Sequence, residues 1–222
     1  MSAREAILAR ARQAQRTGYL PKPDGAHDAG LKPCATTETM HGNVAQGFSP
    51  AIAELLPRFL KELKGVGVES YVEDSDDAVR ARVREIVGNR AALAWDADRL
   101  PYGVGSTLTG AAIGASPRDV QAAAEIGVTG CHAALAETGS LVMLSGPGTP
   151  RSASLLPPVH LCVVRRADIL ESMGQWFAEH AAAIASAANC TFITGPSRTA
   201  DIELTLTLGV HGPGKVIVVV GP

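Results

Sequence analysis

Two short stretches of the chain carry side chains able to act on a small anion. In the first, Cys190 to Glu203, the run Thr191 to Thr194 reads as a buried strand that stops at Gly195-Pro196, where the chain must turn. Gly195 lets backbone approach a ligand closely, Ser197 and Thr199 add hydroxyls, and the planar fork of Arg198 matches a carboxylate or phosphate. Asp201 follows as an acceptor. His211, in the tight loop Gly209-Val-His-Gly-Pro213, is either a candidate acid or base or a structural hydrogen-bond partner of the Asp201 loop. The second stretch, Glu137-Thr138-Gly139-Ser140, reads as a tight turn between two strands, with Gly139 supplying positive φ. The Glu137 carboxylate either caps that turn or takes part in chemistry. These residues predict one pocket at the C-terminal ends of parallel strands. Glu137 and His211 are its catalytic candidates, and Thr138, Gly139, Ser140, Gly195, Ser197, Arg198, Thr199 and Asp201 its binding candidates. The same residue types also serve plain strand-to-turn junctions.

Composition narrows the partners. A chain of 222 residues with 46% hydrophobic and 19% charged residues suits one globular domain with a small appendage. A net charge of -2 offers no basic face for nucleic acid. Met1 to Thr17 intersperses Arg4, Arg10, Arg12 and Arg16 among alanines and so lacks the apolar core of a signal peptide. Nothing approaches the roughly 20 apolar residues of a membrane span. The expected location is the cytoplasm, without a membrane partner. Cys34, Cys131, Cys162 and Cys190 are widely separated, which predicts free thiols and no metal or iron–sulfur site; no cofactor is expected.

The elements that position the two stretches follow from periodicity. Residues 3 to 16 favour a helix whose thin apolar stripe needs a neighbouring element or a second copy of the chain, so homo-oligomers are compatible with it. Leu20 to Pro50, broken by Pro and Gly, reads as an extended arm; His27, Cys34 and His41 lie in it without regular structure to hold a metal. The expected division is an N-terminal helix and arm over 1–49 and an α/β domain over 50–222. Ser49-Pro50 predicts a helix start, with Leu55, Leu56, Phe59, Leu60 and Leu63 buried up to Gly65. Strand Val66 to Val72, helix Ser75 to Val87 closed by Gly88, and strand Ala91 to Trp95 set a β-α-β rhythm, hence an α/β fold with a mainly parallel sheet flanked by helices. Ile126 to Gly148 predicts two strands, and His160 starts another as a structural histidine. Asp168 to Ala187 predicts an amphipathic helix with Ile169, Leu170, Met173, Phe177 and Ile184 inward, and Lys215 to Val220 a strand covered on both faces.

Ala136-Glu-Thr-Gly-Ser-Leu-Val142, Arg151-Ser-Ala-Ser-Leu-Leu-Pro157, Ile193-Thr-Gly-Pro-Ser197, Ala200-Asp-Ile-Glu203 and Gly209-Val-His-Gly-Pro213, in this order, resemble the LUD domain of the lactate utilization protein C family. The resemblance covers about residues 50 to 220. It implies a fold similar to the NagB/RpiA/CoA transferase-like group. It also implies a role in organic acid metabolism, the oxidation of L-lactate to pyruvate, alongside iron–sulfur oxidoreductase partner proteins. The alternative is a stand-alone enzyme or binding protein for an acyl-CoA, carboxylate or folate-like anion, on a fold like that of CoA transferases and formyltetrahydrofolate cyclo-ligase. There Glu137-Thr138-Gly139 is similar to the arrangement in which a glutamate beside a glycine turn attacks an acyl group. Residue types alone leave open whether the chain is an enzyme by itself.

Overall fold

The structure, a computed structural model, describes residues 52–200 and 206–222, which lie within one compact unit, Gln46–Pro222. The N-terminal helix, the arm, the Ser49-Pro50 helix start and Asp201 fall outside the described residues. The strands in chain order are β1 (Glu69–Val72), β2 (Ala92–Ala94), β3 (Ile126–Thr129), β4 (Ala133–Leu135), β5 (Ser140–Ser145), β6 (Val159–Arg165), β7 (Ile169–Leu170), β8 (Asn189–Ile193), β9 (Arg198–Ala200), β10 (Leu206–Leu208) and β11 (Lys215–Gly221). Five of them form a fully parallel sheet in the order β1-β11-β6-β3-β2. A second sheet, β7-β4-β5-β8, carries antiparallel pairs, and β9 with β10 makes a short ribbon.

Helices cover these sheets where apolar residues recur four apart. In α1 (Ile52–Gly65) Leu55, Phe59 and Leu63 make one buried stripe, while Leu56 and Leu60, also expected inside, are half-buried at its edge, and Pro57 lies inside the helix. In α2 (Asp76–Val87) Val79, Val83 and Val87 point inward, and Ser75 Oγ accepts from the Ala78 amide at 3.2 Å to start it. α3 (Arg118–Ala122) and α4 (Ser152–Leu155) are short connectors; α5 (Met173–Ser186) buries Trp176.

Alternation along β6 and β11 then divides the core. Leu161, Val163, Ile217 and Val219 face the α2 side, while Cys162, Val164, Val216, Val218 and Val220 face α1 and the inner face of the second sheet through Ala134, Ala136 and Leu141. The outer face of the second sheet, with Leu135 and Val142, packs on Trp176. Each such large apolar side chain taken from water stabilises the fold by about 1.5–3 kcal/mol.

Three expectations need correction. Ile126 to Gly148 holds three strands rather than two, because β3 joins the parallel sheet before the β4–β5 hairpin starts the second one. The strand ending at Ile193 is half-buried rather than buried, since β8 is an edge strand bonded to β5. The helix expected from Asp168 begins at Met173, since Ile169 and Leu170 pair with β4 and Ser172 Oγ caps Gln175 N at 3.2 Å. Phe177 is consequently exposed, 5.9 Å from the Phe192 ring, and Trp176 takes the inward position.

Candidate functional site

The two predicted stretches meet. Gly139 has φ +67°, and a Cβ there would stand 2.8 Å from Leu63 N, so the turn lies directly on the last turn of α1. Gly195 has φ +84°, and its Cβ would stand 2.8 Å from Val66 O, on the segment that follows the same helix. Between them runs a chain of hydroxyls: Thr138 Oγ1 to Ser140 Oγ at 2.7 Å, and Ser140 Oγ to Thr194 Oγ1 at 2.7 Å, with Ser140 buried. Strand pairing imposes this closeness, because β5 and β8 align Leu141 with Ile193 and so put Ser140 beside Thr194.

Beyond Thr194 the chain borders a groove of about 240 Å³ lined by Thr194, Gly195, Ser197, His211 and Pro213, with Phe192 and Val216 as apolar walls. Ser197 N donates to Pro213 O at 2.8 Å and Gly209 N to Ser197 O at 2.9 Å, which locks the two loops together. His211 is exposed at the rim. The hydroxyl-bearing Ser154, Thr191, Thr194 and Ser197 and an imidazole around an apolar floor suit a small oxygen-bearing guest.

Glu137 and Arg198 do not line this groove. Glu137 Oε1 accepts from Met173 N at 2.7 Å, at the start of α5, and its own amide donates to Glu171 O at 3.1 Å. A carboxylate held there is stabilised by the unpaired amides and partial positive charge of a helix N-terminus. Arg198 Nη2 donates to Val66 O at 2.9 Å, and the residue is exposed. Thr199 lies in β9.

The groove also lies at the opposite end of the parallel sheet from the one expected. Gly214 N donates to Pro158 O at 3.0 Å, so the corner sits where β6 and β11 begin rather than where they end. The reason is topological. β8 belongs to the second sheet and delivers the chain to the incoming end of β11, an arrangement that local sequence does not encode.

Two residues that the sequence alone does not single out, Arg99 and His132, lie at the outgoing ends of β2 and β3. His132 Nδ1 accepts from Leu144 N at 3.1 Å, and its ring lies 5.5 Å from Trp95. Partial burial, then the nearby Arg99 charge, lowers its pKa. A histidine three residues past a parallel strand was the available signal. Deeper in, the hydrogen bond with Cys162, then burial, pushes the Cys131 thiol well up, which keeps it protonated. His160, wholly buried, bonds Thr129 Oγ1 through Nε2 at 2.8 Å, while its Nδ1 has no partner among the described residues; burial holds its pKa down at about 4. Among the described residues, no three His, Cys, Asp or Glu side chains gather as metal ligands, and no helix is long and apolar enough to cross a membrane.

Comparison with known proteins places the chain. The LUD domain pattern matches residues 56–220. Proteins named lactate utilization protein C are similar to it: one from Shouchella clausii is 34% identical over 148 residues, 61% of this chain and 64% of that protein. One from Macrococcus caseolyticus is 32% identical over 162 residues, 67% of this chain and 70% of that protein. One from Geobacillus sp. is 29% identical over 229 residues, 93% of this chain and 88% of that protein. The match thus spans just under two thirds of the Shouchella clausii protein and most of the Geobacillus one. A crystal structure of a DUF162 family protein from Deinococcus radiodurans shares the fold, with TM-score 0.61 and 20% identity over 78% of this chain and 99% of that one. By the domain pattern that runs through three quarters of its length, the chain belongs to the LUD domain family.

Proposed function

We propose that this chain is a component of a system that oxidises L-lactate to pyruvate, and that it binds a small anion while iron–sulfur partner proteins carry the electrons. The observation that supports this most is similarity to proteins named lactate utilization protein C along nearly the whole chain, 93% of it in one case. Conversion of lactate to pyruvate releases two electrons and two protons, so an electron acceptor is required, and iron–sulfur clusters in partner proteins fill that role.

In this reading the groove at Thr194, Gly195, Ser197 and His211 receives the anion. Ser197 and Thr194 donate to its oxygens, and His211 at the rim exchanges a proton with it. The hydroxyl chain through Ser140 and Thr138 orients Thr194 from behind. Arg198, Thr199 and Asp201 follow Ser197 in sequence, and Glu137 acts at a distance by holding the start of α5.

Affinity purification of the tagged full chain from lactate-grown cells tests the partnership. Co-purified proteins with the broad visible absorbance of iron–sulfur clusters, and loss of L-lactate consumption in extracts lacking the chain, are the expected results. Extracts that consume L-lactate at the same rate without it would refute the reading.

A further inference from the structure

At the outgoing ends of β2 and β3, segments that are far apart in sequence converge on one cavity. After β2 come Trp95, Asp96 and a turn to Arg99; after β3 come Gly130, Cys131 and His132. Asp96 N donates to Gly148 O at 2.9 Å and Trp95 N to Val128 O at 3.1 Å, which ties the β2 exit to the Gly146–Thr149 loop and to β3. A Cβ on Gly148 would stand 3.1 Å from both Arg99 Cγ and Asp96 Oδ2, so this loop passes directly over the arginine. The cavity, about 370 Å³, is lined by Arg99, His132, Gly146, Pro147 and Thr149, with the last turn of α5 at Ala183 and Ser186 as its far wall. That volume lies in the usual range for small-molecule sites, and the outgoing ends of parallel strands are where open α/β sheets hold ligands.

The chemistry of the lining is specific. Because His132 Nδ1 accepts the Leu144 amide, the neutral ring carries its proton on Nε2, which no described residue bonds. Arg99 meets Asp98 through Nε at 3.6 Å, with both side chains mostly exposed, and its two terminal nitrogens have no such partner among the described residues. Two parallel donors match the two oxygens of a carboxylate. Arg99 carries the one formal charge among the residues that line the groove, and the carboxylates of Asp96 and Asp98 beside it, with the carbonyl end of α5, oppose a polyanion more strongly than a singly charged guest. Small side chains at Ala183, Ser186 and Gly146 leave room for a few carbon atoms.

We propose that this groove binds a small monocarboxylate bearing a 2-hydroxyl or 2-oxo group, its carboxylate on the terminal nitrogens of Arg99 and its 2-oxygen on His132 Nε2. This is a second site, separate from the groove at Thr194 and His211; its place follows from the geometry, and the choice of a 2-hydroxy or 2-oxo acid rests on the lactate reading above.

The test follows the imidazole resonances of His132 in the full chain, assigned with His132→Gln, during titration with sodium L-lactate, pyruvate, acetate and inorganic phosphate. L-lactate or pyruvate should shift them saturably. Arg99→Ala should weaken that binding at least 10-fold, Arg99→Lys less so, and Arg90→Ala, which removes a cation from the other end of β2, should leave it unchanged. Thermal unfolding confirms that each variant is folded; if Arg99→Ala is not, Arg99→Lys and calorimetry on His132→Gln give the same comparison. Silent His132 resonances, undiminished binding in the Arg99 variants, or phosphate bound as tightly as the carboxylates would overturn the proposal. Cells lacking the gene separate the two claims. If they still consume L-lactate while His132 responds, the lactate reading falls and the groove stands. If consumption is lost while His132 stays silent, only the groove falls.

Discussion

Glu137 carries the acidic group that residue type offers for catalysis, and the fold assigns it to Met173 N at 2.7 Å instead. Glu137→Gln keeps an acceptor there, so unfolding free energy should change by less than about 0.5 kcal/mol, whereas Glu137→Ala should cost ~1 kcal/mol, both read by denaturant titration. Gly139 is less tolerant. Gly139→Ala forces a side chain onto α1 backbone 2.8 Å away at φ +67°, and should cost about 2 kcal/mol or more in the same measurement. Ser140→Ala leaves Thr138 and Thr194 without their shared partner and should cost about 1–2 kcal/mol. His160 governs acid stability. Its pKa is about 4 when folded against 6.5 as the reference, so the unfolded chain binds the extra proton between those values. Stability from this residue is full above pH 6.5 and is lost as pH falls towards 4, by ~3 kcal/mol at about 1.4 kcal/mol per unit. Melting temperature measured across that window should fall in the wild type, and its slope should flatten in His160→Gln.

At the scale of elements, what could be read from the sequence is what local signals encode. Ser75 and Gly88 bracket α2, the unbroken apolar run makes β11 a central strand, and the four-residue spacing of Leu55, Phe59 and Leu63 sets the buried face of α1. Gly139 in its turn was equally readable. Other features depended on partners far away in the chain. Ile169 and Leu170 fit a helical stripe as well as a strand, and only pairing with β4 decides for β7. Thr191 to Ile193 has the composition of a buried strand, but one neighbour and an edge position leave it half-exposed. Ser172, three residues before Gln175, was a local cap signal that fixes the true start of α5. Ser172→Ala should therefore lower helix stability by ~1 kcal/mol, seen as faster amide exchange in the first turn of α5.

For the whole molecule, two sheets stacked through α1 place one groove where the parallel strands begin and another where β2 and β3 end. The residue types marked the Glu137 and Gly195 stretches as candidates, but neither their closeness, which the β5–β8 pairing imposes, nor the end of the sheet at which they meet is encoded locally, since both emerge from long-range pairing. The chain belongs to the LUD domain family, and the account we propose is that it serves lactate oxidation by holding a small anion. Growth of the host with the gene deleted, on L-lactate against glucose as sole carbon source, tests that account most directly. The account predicts loss of growth on L-lactate alone, restored by the wild-type gene; equal growth of deleted and intact strains on L-lactate would contradict it.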